Sequence, residues 1–205
     1  MRPVREFLAR LMRLDPRALV RVRPDGLWAM LPFGVLVRLP LSEPPTGDAT
    51  YLAADLAQLT VTEPIEAAEQ LDRRDSDWRW PLPASWGRGV ETIPVAELLR
   101  LADAAARTIR TATTEGIGGR AVGERILRDA LLDHVAIVVA TDDDERIEIP
   151  QRMVQALVRM GLHGPVTGDT IGDGQVTVRL AIRWIGLETR YGSAWYRPIS
   201  PLRLA

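Results

Sequence analysis

Two distant segments, Glu91–Leu101 (ETIPVAELLRL) and Ile147–Leu157 (IEIPQRMVQAL), share one pattern. Each has a short extended-looking run, an Ile-Pro step and then leucines at helical spacing. Proline holds φ near about −65° and pushes the residue before it into extended backbone. It is also favoured at the first position of a helix. Each segment is therefore a strand that passes straight into a helix. Ala49–Leu59 (ATYLAADLAQL) echoes the first segment without the proline. Recurring strand-to-helix units predict an α+β fold, with a mixed, mostly antiparallel sheet and several packed helices.

The rest of the pattern fits that frame. Val4, Phe7, Leu8, Leu11 and Leu14 recur at helical spacing, with Arg2, Arg5, Arg10 and Arg13 mostly opposite. Leu19–Arg23 alternates, Pro24-Asp25-Gly26 turns, and a second apolar run completes a hairpin. Gly34–Leu39 reads as a third strand, and residues 42–50 as a loop. Val90–Ile93 is a short strand, and the helix that starts at Pro94 ends before Gly116. A second helix covers Ala121–Asp133, and His134–Ala140 is a β-branched strand that returns through Arg146–Ile149. Pro150 opens a third helix, ended by Gly161. Gln175–Ile185 reads as one long strand, with another around Trp195. The expected organisation is a helix-and-hairpin unit (1–41), an irregular connection (42–89) and a main α+β unit (90–205), together one compact domain.

Strand-to-helix units that recur in this way resemble sliding-clamp modules, whose repeats also join strands to helices. The likeness spans about ten residues per unit and includes no diagnostic side chain.

Composition narrows the chemistry. The chain has no cysteine, so disulfides, thiolate metal sites and thiol catalysis are excluded. It has no lysine or asparagine either, a bias expected of a GC-rich bacterium. All 26 basic residues are arginine, which removes Schiff-base and phosphate-loop lysine chemistry. With His134 and His163 alone, no metal site is expected. The longest apolar run, Leu27–Val37, is too short to span a bilayer and contains Pro32 and Gly34. No secretory signal is evident at the N-terminus, so the expected location is cytoplasmic.

No catalytic residue is assigned and no cofactor is expected, and the balance leans away from an enzyme. The alternative is a small nucleotide-binding enzyme or hydrolase. Gly116, Gly118 and Ala121 satisfy the spacing of a dinucleotide fingerprint, with Asp142 and the two acids after it placed to read a ribose. The fingerprint needs a strand before its glycines, whereas the preceding residues are periodic as a helix. A general base built from His134 and Asp129 or Asp133, with Ser193 or Ser85 as nucleophile, lacks the sequence context of a nucleophile elbow.

Charge alternates in blocks, with eight arginines against three acids over 1–40 and two against nine over 41–77. Such blocks meet in the fold or steer partners. Asp77–Gly89 (DWRWPLPASWGRG) holds three of the six tryptophans. Its prolines and alternate spacing predict a stiff strap pinned by Trp78, Trp80 and Leu82. The partner-binding candidates are Arg79, Trp86, Arg88, Arg183, Tyr191, Trp195 and Arg197, because arginine, tryptophan and tyrosine dominate interfaces. The resulting expectation is a non-catalytic interaction or assembly module with a protein partner or self-association. Single-stranded nucleic-acid binding through the same arginine and tryptophan segments is a second alternative.

Overall fold

The computed structural model describes residues 2–61, 63–115, 124–141, 146–167, 170–171 and 174–198. Helix α1 (Arg2–Leu14) precedes strands β1 (Leu19–Arg23), β2 (Gly26–Met30) and β3 (Leu36–Leu39). β4 (Ala49–Leu52) runs without a linker into α2 (Ala53–Leu59). After 3-10 turns at Ile65–Gln70 and Asp75–Asp77, β5 (Arg88–Pro94) runs directly into α3 (Val95–Glu115). α4 (Glu124–Asp133) leads to the hairpin β6 (Val135–Ala140) and β7 (Arg146–Pro150), and β7 continues into α5 (Gln151–Met160). β8 (Val166–Thr167) and β9 (Thr170–Ile171) pair with each other. β10 (Gln175–Ala181), β11 (Trp184–Thr189) and β12 (Gly192–Tyr196) follow. α5 ends at Gly161, whose φ of 67° supplies the left-handed cap.

The principal sheet has eight antiparallel strands in the order β4-β1-β2-β3-β12-β11-β10-β5. It is two quartets laid edge to edge. In each, a strand that enters a helix lies outermost (β4 or β5) and three consecutive strands run inward from it. The seam is the β3–β12 pair, with Leu36 opposite Trp195, Val37 opposite Ala194 and Arg38 opposite Ser193. The helices repeat this arrangement: α1 packs on α2, α3 packs on α5, and α1 meets α5 across the seam. The fold is α+β, as the pattern of the sequence predicts.

Alternation along the seam strands divides the core between two faces. Val37 and Ala194 turn to the helices and join one large cluster with Phe7, Leu8, Leu11, Met153 and Leu157. Leu36 and Trp195 turn the other way, into a second cluster with Trp28 and Trp184. That face is covered by the strap, from which Trp78, Leu82 and Trp86 pack against the cluster. The Trp86 ring lies 5.9 Å from Trp28 and 5.8 Å from Trp195, and the Arg38 guanidinium caps it at 4.2 Å. Sequence spacing points to Trp80 as a pin, but in the structure Trp86 enters the aromatic stack. Trp80 instead stands edge-on to Trp78, whose indole N–H donates to the Trp80 carbonyl at 2.7 Å.

The expected long strand Gln175–Ile185 is two strands with a turn at Ile182-Arg183. Leu180 lies opposite Ile185 and Val178 opposite Leu187, so the core-facing positions pass from even numbers in β10 to odd numbers in β11. The basic and acidic blocks meet in part: Arg21 donates to both oxygens of Asp48 at 2.6 and 2.9 Å, and Arg23 lies 3.8 Å from the same carboxylate.

One half-buried histidine is expected to make stability depend on pH. His163, in the turn after α5, has a buried Nδ1 without a hydrogen-bond partner. Burial, and then the nearby Arg10, lowers its pKa from the ordinary value of 6.5. Below that value the unfolded chain takes up a proton that the native state resists, so stability falls as pH drops. Urea midpoints between pH 7.5 and pH 5.5 should fall less in His163→Gln than in the wild type; equal slopes would exclude His163 as the cause.

Candidate functional site

The β6–β7 hairpin, the β10–β11 turn and the chain after β12 line a groove of about 880 Å3. Its apolar walls come from Ile147, Pro150, Leu180, Ile185 and Pro198. Arg146 of β7, Arg183 of the turn and Arg197 beyond β12 also line it, and all three are exposed. Among the described residues, none of the three makes an ion pair or side-chain hydrogen bond.

Arg152, at the start of α5, holds one wall in place. Its Nη1 donates to the Phe33 carbonyl at 2.6 Å, and its Nη2 pairs with the Asp133 carboxylate. Its guanidinium also sits 5.3 Å from the Tyr196 ring. Asp133 is thereby neutralised, and Glu148 is the remaining acid on the lining. The groove is therefore apolar with an excess of positive charge, an arrangement that attracts an anionic, partly apolar ligand. Arg183 carries a φ of 63° at the second central position of its turn. A side chain in that region costs about 1–2 kcal/mol relative to a glycine, yet the fold keeps an arginine there.

The structure brings together two of the residues singled out from sequence, Arg183 and Arg197, and separates the others. Arg79 is exposed on the strap, Arg88 begins β5, and Trp86 is half-buried in the aromatic stack. Tyr191, 36% exposed, lies at the β11–β12 turn against Gly164. Trp195 is 0% exposed, so it cannot meet a partner at the surface. Its place opposite Leu36 in the seam turns it into the second core cluster. Trp184 is 8% exposed, so neither C-terminal tryptophan offers a stacking platform of the kind that single-stranded nucleic acids use. Arg146, Arg152 and Tyr196 were not singled out from the sequence. Nothing in their spacing links the hairpin to the β10–β11 turn; only the packing of α5 does.

Gly116, Gly118, Ala121 and Asp142 lie outside the described residues. The segment that enters Gly116 is α3, a helix, where a dinucleotide fingerprint needs a strand. Ser193 is wholly buried and accepts the Trp195 indole N–H at 2.9 Å, which removes it as a nucleophile. Among the described residues there is no group of three or more potential metal-ligating histidines or acids, and no helix is long and apolar enough to cross a membrane.

A family model described as "Domain of unknown function (DUF8185)" matches residues 82–201, more than half of the chain. The chain belongs to this family. No curated protein matches it. Solved structures extend the fold beyond the family segment to the whole chain. A DNA polymerase sliding clamp from Pseudomonas aeruginosa is similar at a TM-score of 0.53 and 14% identity, covering 98% of this chain and 63% of that one. A putative DNA polymerase III beta subunit from Eubacterium rectale is similar at 0.53 and 9%, covering 97% and 62%. The sliding clamp from Bacillus subtilis is similar at 0.51 and 11%, covering 98% and 63%. This DUF8185 member therefore has the sliding-clamp fold, over less than two thirds of the length of those structures.

Proposed function

We propose that the chain is a non-catalytic assembly module that holds an acidic, partly apolar segment of a partner protein in the groove between the β6–β7 hairpin and the β10–β11 turn. The observation that carries this is the convergence of Arg146, Arg183 and Arg197 on one apolar groove without partners among the described residues. Arginine suits the task because its planar guanidinium takes a carboxylate through two parallel hydrogen bonds. The fold supports the same reading. Its structural neighbours are described as sliding clamps and as beta subunits of DNA polymerase III, which are components of an assembly.

The test is fluorescence anisotropy with a labelled synthetic peptide of alternating aspartate and leucine, beside a single-stranded oligonucleotide. The peptide should bind with an affinity that falls as salt rises. Charge reversal in the triple variant R146E/R183E/R197E should weaken binding at least tenfold. An oligonucleotide that binds more tightly than the peptide, through the same arginines, would replace this reading with nucleic-acid recognition. Peptide binding that ignores all three substitutions would move the site elsewhere.

A further inference from the structure

The two ends of the eight-stranded sheet are finished differently. At the β4 end the chain seals its own edge: Asp75 Oδ1 accepts the Thr50 N–H at 2.7 Å, and the Arg74 N–H donates to the Thr50 carbonyl at 2.7 Å. An added strand finds no free groups at that position. At the other end, among the described residues, β5 pairs with β10 alone. Among the same residues β6 pairs with β7 alone, and no ladder joins β5 to β6. Four consecutive residues of each strand, Glu91–Pro94 and Ile137–Ala140, form the walls of a groove of about 340 Å3.

We propose that this groove accepts a basic, extended segment of a partner protein, added as a further strand on the free edge of β5. Three observations support it. An open edge is a template for strand addition, because its backbone donors and acceptors lack a neighbour. On this edge the Thr92 N–H donates to the carboxylate of the adjacent Glu91 at 2.8 Å, a contact within the strand that an incoming strand's carbonyl would replace. The charged side chains that line the groove, Glu91 and Glu97, are both acidic, while Val138 is 47% exposed and presents an apolar wall. Carboxylates beside apolar side chains select a strand that alternates basic and apolar residues, as successive side chains point to opposite sides. This site is distinct from the arginine groove and selects the opposite charge.

The probe is a seven-residue peptide of alternating arginine and valine, the length of β5, added to the full chain. It should bind, slow hydrogen exchange at the β5 amides, and lose affinity at least tenfold in the double variant E91Q/E97Q. N-methylation of alternate peptide amides should abolish binding without touching the protein, and the arginine-groove variant R146E/R183E/R197E should bind the peptide as the wild type does. Failure to bind, unchanged β5 exchange, or equal affinity for a glutamate–valine peptide would each overturn the proposal.

Discussion

Replacing Trp195 with alanine is expected to cost about 3–5 kcal/mol, the range for deleting a fully buried large aromatic side chain. Trp195 is 0% exposed and sits on the one strand pair, β3–β12, that joins the two quartets of the sheet. Its ring lies so close over Gly186 that a Cβ there would be 2.7 Å from it. Trp86 closes the other side, 5.8 Å away. A rigid backbone below and a stacked indole above leave the cavity little room to collapse, which places the cost in the upper part of that range. The indole N–H also leaves the buried Ser193 hydroxyl without its donor. Urea unfolding followed by far-UV circular dichroism measures the loss, with Trp80→Ala as the control. Trp80 packs on the strap rather than in the seam cluster and should cost markedly less. Equal costs for the two would show that the seam is not where stability concentrates.

The second large effect is expected at Gly87, where the strap ends and meets the sheet. Its φ is +62°, and a Cβ there would lie 1.9 Å from the Leu180 carbonyl oxygen and 2.7 Å from the Ala181 nitrogen. Both obstacles are backbone, so no side-chain rotation relieves the clash. The left-handed conformation costs alanine about 1–2 kcal/mol and overpacking adds about 1–3. Gly87→Ala should therefore lose roughly 2–5 kcal/mol, lifting the strap locally. Because Trp86 precedes it, the change should also expose that indole, shifting tryptophan emission to longer wavelength. Gly47→Ala is the matched control, as its added Cβ would meet nothing within 4 Å. A loss at Gly87 without an emission shift would mean that the strap stays in place and the strain is absorbed in β10.

Some features were readable before any coordinates. The Ile-Pro steps at Ile93-Pro94 and Ile149-Pro150 mark where strand becomes helix, because proline's ring dictates backbone geometry on both sides of the step. The hairpin through Pro24-Asp25-Gly26 and the cap at Gly161 were legible for the same kind of reason: a single residue type carries the local conformation. The reversal at Ile182-Arg183 was hidden, since neither residue is a turn former and apolar residues continue on both sides of it. Trp86 and Trp195 look alike in sequence, as aromatics beside arginines. Only their partners show that one caps the stack beneath Arg38 and the other lies wholly inside.

By itself, then, the sequence determined those elements whose cause is local: strands that enter helices, an amphipathic first helix, and a chemistry without thiol or lysine. The tertiary structure alone decided which strand edges are sealed and which are open. It also decided that Arg146, Arg183 and Arg197 face one groove. Local pattern reports which face of a strand is apolar, but neighbours in a sheet are chosen by packing between residues far apart in the chain. The seam of Leu36 against Trp195 is one such choice, and it builds the sheet whose far edge is β5 and whose β10–β11 turn lines the arginine groove.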